Sequence, residues 1–155
     1  MVDQDRLERI SHYICALFDN RPKLDATLLN RIILYSDLCA LKIRGFSITK
    51  AIYCRQPHGL VPDGMAQTLN TLLYNRKIEQ QIDPLRGLSR IQLVSIKKPD
   101  LNMIAVRDRG ILEIAAMIAG RYDYCSSRYI VQIERIWMDT SIGDEVSLLS
   151  CLSNV

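Results

Sequence analysis

The sequence predicts a mainly helical α+β domain, with about six helices and a small antiparallel sheet inserted among them. Two observations carry that expectation. Through most of the chain apolar residues recur every three or four positions, the period of a half-buried helix. Two short stretches read instead as strands: 47–56, which is rich in β-branched and aromatic residues, and 90–96, which alternates or runs apolar.

The first helix spans about Asp3 to Phe18, with Leu7, Ile10, Ile14 and Leu17 on one stripe. Asn20-Arg21-Pro22 stops it. Asp25 suits the N-cap of a second helix running to about Ile43. Leu28, Leu29, Ile32, Ile33, Leu34, Leu38, Cys39 and Leu41 make that helix apolar around much of its circumference, which places it centrally in the core. Gly45 is its expected C-cap, because the left-handed residue after a helix is most often glycine. SITKAIYC follows as a strand with a turn near Thr49-Lys50, and then the corner PHGLVPDG. A third helix is expected from about Pro62 to Gln80, since a proline costs nothing in a first helical turn. After the strand at 90–96, Asp108 reads as the N-cap of a helix through Ile111, Leu112, Ile114, Ala115 and Ile118, ending at Gly120. Ser126 or Ser127 opens another through Ile130, Ile133 and Trp137. A short last helix starts at Asp144 and carries Val146, Leu148 and Leu149.

With 155 residues, no internal repeat and no linker, the chain reads as a single domain over 1–155. Its charges exclude little and suggest less. Residues 1–77 carry 11 Lys/Arg against 7 Asp/Glu, and residues 78–155 carry 9 against 10, a mild N-terminal excess. The cations are scattered rather than clustered and interleaved with aromatics, which argues against nucleic acid as the partner. Five widely spaced cysteines suit free thiols in a reducing compartment better than a disulfide scaffold. The charged start is not a secretory signal, and no apolar run approaches the roughly 18 residues of a membrane span. A cytoplasmic protein with no membrane partner is expected.

Candidate chemistry is thin. His58, within PHGLVPDG, could act as a base on Cys54, but an X-Pro step separates them and no companion catalytic motif is present. The corner reads as structural: Gly59 relaxes the backbone and Pro62 starts a helix. His12 with Cys15 and Cys54 with His58 formally make a Cys₂His₂ set, yet without the paired spacing of a zinc site. No enzyme activity, metal or cofactor is expected. Arg31 and Asp37 sit on an otherwise greasy helix and require partners if buried, as ion pairs or caps, with Arg31 alternatively lining a binding groove. Arg107, Asp108 and Arg109 read as a solvated helix start. Tyr122, Tyr124 and Tyr129 are aromatics of the kind that anchor partner surfaces.

Two blocks of the sequence carry a family resemblance. RIILYSDLCALKIRGFSI followed by PHGLVPDGM resembles the signature of the Panacea domain family, the SocA-like antitoxin domain. Arg31 stands at the family's basic position, Ile32 and Ile33 at its paired aliphatics, Ser36 at its small residue, Asp37 at its polar one and Gly45 at its helix stop. His58, Gly59, Val61 and Pro62 fall on its turn. Leu34, Phe46 and Leu60 depart from it, standing where Tyr, Pro and Pro are usual. The resemblance is strongest over 24–80 and implies a compact, mainly helical domain, encoded beside toxin genes in bacteria and their phages. It implies an antitoxin that neutralises a cognate toxin by direct complex formation. An adaptor that delivers a partner to a protease, or a phage-encoded inhibitor of a host defence protein, are the alternatives.

Overall fold

The computed structural model describes residues 4–19, 24–57, 59–83, 87–121 and 138–152. Among these are five helices: α1 (Gln4–Leu17), α2 (Ala26–Arg44), α3 (Met65–Tyr74), α4 (Val106–Arg121) and α5 (Leu148–Leu152). Five strands accompany them, β1 (Tyr53–Gln56), β2 (Gly59–Pro62), β3 (Ile78–Asp83), β4 (Gly87–Ser95) and β5 (Glu145–Val146). The fold is α+β and mainly α, as the periodicity predicts, with five helices described rather than about six. The helix expected from Ser126 or Ser127 to Trp137 lies outside the described residues.

α2 occupies the centre and packs against α1, α4, α5 and β2. Leu29, Ile32 and Ile33 on this helix are fully buried, together with Leu7, Ile10 and Ile14 of α1 and Leu112 of α4. Both of its expected caps are present. The Asp25 carboxylate accepts from the Leu28 N–H at 2.7 Å, and Gly45 takes φ 86° while donating its N–H to the Leu41 carbonyl.

The sheet departs from expectation by being two sheets. One is three-stranded and antiparallel in the order β2-β1-β5, with Tyr53 opposite Pro62 and Val146, and Gln56 opposite Gly59. The other is the hairpin β3-β4, with Ile78 opposite Ser95 and a register shift between Ile82 and Asp83. Several boundaries are corrected accordingly. Residues 46–52 form a loop, so the first strand is confined to Tyr53–Gln56; Lys50 holds φ 57° at the expected turn. Pro62 ends β2 instead of opening α3, which starts at Met65 behind Gly64 in the left-handed region. The third helix stops at Tyr74, because Ile78–Asp83 leaves to pair with β4. Val146 belongs to β5, so the last helix begins at Leu148 rather than Asp144.

Glycine is required at Gly64. Its φ is 82°, and a Cβ there would stand 2.7 Å from Gln4 Oε1. That close approach lets the Gln4 amide donate to the Gly64 carbonyl at 3.2 Å and to Thr68, tying the start of α1 to the start of α3. Among the described residues no helix is long and apolar enough to cross a membrane.

Candidate functional site

One of the expected site residues, Asp37, is a carboxylate that organises the chain following its helix. Asp37 lies on the fourth helical turn of α2, fully buried. Its Oδ1 accepts the N–H groups of Ile48 and Thr49 at 2.9 and 3.0 Å, and its Oδ2 accepts the hydroxyls of Thr49 and Tyr53 at 2.5 and 2.6 Å. Burial raises its pKa, and the four donated hydrogen bonds pull the other way. Neutral donors satisfy this carboxylate from within its own stretch of chain. The αL cap at Gly45 makes this possible, since it reverses the chain so that 48–53 returns along the helix. Thr49 Oγ1 also accepts the Ala51 N–H at 3.0 Å, and the buried Tyr53 starts β1.

Of the other signature positions, Ile32 and Ile33 are core residues and Arg31 is half-buried on α2. Gly59 opens β2 with φ 134°, Val61 is half-buried opposite Cys54, and Pro62 is buried. Leu60, one of the departures from the family pattern, is 4% exposed and packs into the core. His58 lies outside the described residues, as do Tyr122, Tyr124 and Tyr129. Cys54 stands on the middle strand between Val61 and Glu145. Burial, with Asp63 and Glu145 nearby, raises its thiol pKa, which disfavours the thiolate a nucleophile needs.

A second buried carboxylate was misread from sequence. Asp108 is within the first turn of α4, not at its N-cap, and is 4% exposed rather than solvated. Arg44 Nη1 meets its Oδ1 at 2.6 Å and Arg6 Nη2 its Oδ2 at 3.6 Å. Arg6 Nε also donates to the Ile48 carbonyl, so one guanidinium joins this ion pair to the loop held by Asp37. Arg44 stacks over the Phe46 ring, 4.3 Å from its centroid. The starts of α1 and α4 and the end of α2 therefore meet at Asp108. The signal available in sequence was Arg44, a cation in the last turn of a helix, but nothing there named its partner.

The third candidate is His12. Its ring is 4% exposed, and Nε2 lies 2.9 Å from the Lys97 carbonyl, which fixes the N–H on that nitrogen. Ser95 Oγ is 3.3 Å from the same nitrogen but donates to the same carbonyl at 2.8 Å. Both groups are donors to one acceptor, so the ring cannot take the serine proton. His12 borders a polar cleft of about 240 Å³ lined also by Asp5, Glu8, Arg9, Leu72, Lys77 and Asp100. Burial lowers the His12 pKa and pushes the Cys15 thiol up to about 12. Among the described residues no group of three or more His, Cys, Asp or Glu side chains could hold a metal ion. Of the described cysteine thiols, Cys15, Cys39 and Cys54 are free; Cys15 is buried, Cys39 exposed and Cys54 half-buried.

No protein-family model matches the chain, and neither a curated protein nor a solved structure matches it.

Proposed function

We propose that this chain is a non-catalytic protein-binding module of the antitoxin type, which holds a cognate toxin inactive by direct complex formation. The observation that carries the reading is that the described positions of the resemblance are built into the scaffold. Arg31 to Asp37 lie on the central helix and Gly45 caps it, and Asp37 binds the returning loop that leads into the β1-β2 hairpin. A sequence signature whose described members are spent on caps, core and hydrogen bonds belongs to a scaffold. On a scaffold of this kind the recognition surface is carried by exposed positions outside the signature. Inhibition then requires only that an interface of ordinary size, roughly 1,600 Å² in total, cover the toxin's working surface.

The test is co-expression with the polypeptide encoded beside this gene. Rescue of growth, together with a stoichiometric complex on gel filtration and an unchanged partner half-life, is the expected result. A partner that disappears on co-expression would point to delivery to a protease instead. Substrate turnover abolished by Cys54→Ala at unchanged Tm would overturn the non-catalytic reading.

A further inference from the structure

We propose that the chain pairs with a second copy of itself through β3, strand to antiparallel strand, so that the two hairpins join into one sheet in the order β4-β3-β3-β4. The inference stands independently of the antitoxin reading.

The hairpin has one covered edge and one open edge. The Leu93 N–H donates to the Leu24 carbonyl at 2.8 Å, outside the ladder, so Leu93 and its partner Gln80 form a pair whose backbone groups point away from each other. The Ile96 N–H donates to the Lys77 carbonyl at 3.0 Å, which fixes the same alternation from the base of the hairpin. Residues 78, 80 and 82 of β3 therefore turn their N–H and C=O groups outward, while 79 and 81 bond to β4. Leu24 covers the outer side of β4. Among the described residues none bonds the outward groups of Gln80 or Ile82, and positions 79 to 82 are all exposed. An open strand edge is a template for another strand.

The hairpin also outruns the body that buries it. Ile78, Gln80 and Ile82 share one face of β3, with Leu93 opposite Gln80 and Ile91 opposite Ile82 on β4. At the base, Ile78 and Leu93 are 1% and 4% exposed and belong to the core. Farther out on the same face, the directly opposed Ile82 and Ile91 are 55% and 41% exposed. A two-stranded ribbon is marginal by itself, and the outer half of this one lacks the packing that supports its base.

Self-pairing supplies that support, and residue chemistry selects the register. Centred on Gln80, the antiparallel pair places Gln80 opposite Gln80, Ile78 opposite Ile82 and Glu79 opposite Gln81. The outward groups of 78, 80 and 82 then meet those of 82, 80 and 78, and Ile82 of one copy lies beside the buried Ile78 of the other. Gln81 already donates to Glu79 along the strand at 2.7 Å, and the second copy brings the same donor type to that carboxylate from across. Moving the centre to Glu79 opposes two copies of that carboxylate, which is destabilising. Moving it to Gln81 leaves Ile78 unmatched. Because Leu24 covers the β4 edges, the assembly closes at two copies instead of growing into a filament.

Sedimentation equilibrium from about 1 to about 500 µM tests the pairing. A five-residue strand pair makes an interface below standard size, so a monomer–dimer equilibrium with a Kd on the order of 100 µM is expected. Gln80→Pro removes the N–H at the centre without touching the β3-β4 ladder, and weakens association about tenfold or more. Gln80→Lys and Gln80→Glu each oppose like charges on the twofold axis and weaken it similarly, yet the two variants mixed together associate at least as tightly as the wild type. Thermal melts check that each variant is folded; if the proline unfolds the hairpin, the Lys and Glu variants decide. A wild type that stays monomeric throughout overturns the proposal. So does a dimer whose affinity is unchanged in folded Gln80→Pro, or a Lys–Glu mixture no more associated than either variant alone.

Discussion

Asp37 and Asp108 are both almost wholly buried, at 0% and 4% exposure, yet the molecule accommodates their charge in opposite ways. Asp37 receives four hydrogen bonds from neutral groups between residues 48 and 53, all within 16 positions of itself. Asp108 receives guanidinium groups from two other helices, 64 positions away in the case of Arg44. The first arrangement shapes one local unit; the second joins the ends of three helices. A buried carboxylate is thus a local folding device in one place and a long-range clamp in the other.

Removing each side chain measures the difference. Asp37→Ala strands two buried N–H groups and two hydroxyls at a site that water cannot easily reach. Each unmet donor costs about 1–3 kcal/mol, so the loss is about 4 kcal/mol or more in chemical denaturation. Asp37→Asn keeps an acceptor for the two N–H groups, and the Thr49 and Tyr53 hydroxyls can rotate to accept from the new amide. Its loss is smaller, about 1–2 kcal/mol. Equal losses for the two variants would mean that the site needs a negative charge and not only acceptors.

Asp108→Ala is expected to cost less, about 2–3 kcal/mol. Breaking a buried pair leaves a charge behind, but the Arg44 side chain is 12% exposed and has a route to water. The double variant Arg44→Met, Asp108→Leu should recover most of that loss, because a buried ion pair can be replaced by packed apolar groups at little net cost. A double variant no better than Asp108→Ala would place the importance of Asp108 in its second partner, Arg6.

The contrast also explains how much could be read from sequence. Asp25, Gly45 and the greasy α2 were legible because caps and periodicity are local rules, decided within about one turn of helix. The unit around Asp37 was half legible: a charge on an apolar helix had to find partners, and the chain reversal at Gly45 limited where they could come from. The Arg44–Asp108 clamp was not legible, since Asp near a helix start reads the same whether solvated or paired across the fold. The β1-β2 corner shows a competing local rule winning. Pro62 fits a helix start, but pairing with Tyr53 held it in a strand, and Gly64 made the turn into α3 instead. The exposure of Ile43, Phe46 and Val106 is likewise a tertiary property that no spacing in the sequence reveals.

His12 gives a pH test of the same contrast between local and distant partners. Burial lowers its folded pKa most; the Lys97 carbonyl opposes this, Lys77 adds to it and Asp19 opposes it. The unfolded chain therefore binds this proton more tightly than the folded one. The stability contribution is complete above the unfolded value of 6.5 and is lost as pH falls from there toward the lower folded pKa. In His12→Gln, whose amide can still donate to the Lys97 carbonyl, this part of the pH dependence should vanish. A denaturation series across pH 5 to about 7.5 reads it. An identical slope in the variant would assign the acid sensitivity to other groups.

The smallest effect on stability is expected at Phe46. Phe46 is 53% exposed, and its ring loses only a partly solvated contact with Arg44 when truncated. An exposed cation–π contact is worth about 0.5–1 kcal/mol, and Arg44 keeps its pair with Asp108, so Phe46→Ala should cost no more than about 1 kcal/mol of folding stability. If Phe46→Ala instead unfolds the chain as readily as Asp108→Ala does, the ring is a structural lid on the clamp. Its exposure would then be incidental, and the ring would belong with the buried groups that hold Arg44 on Asp108.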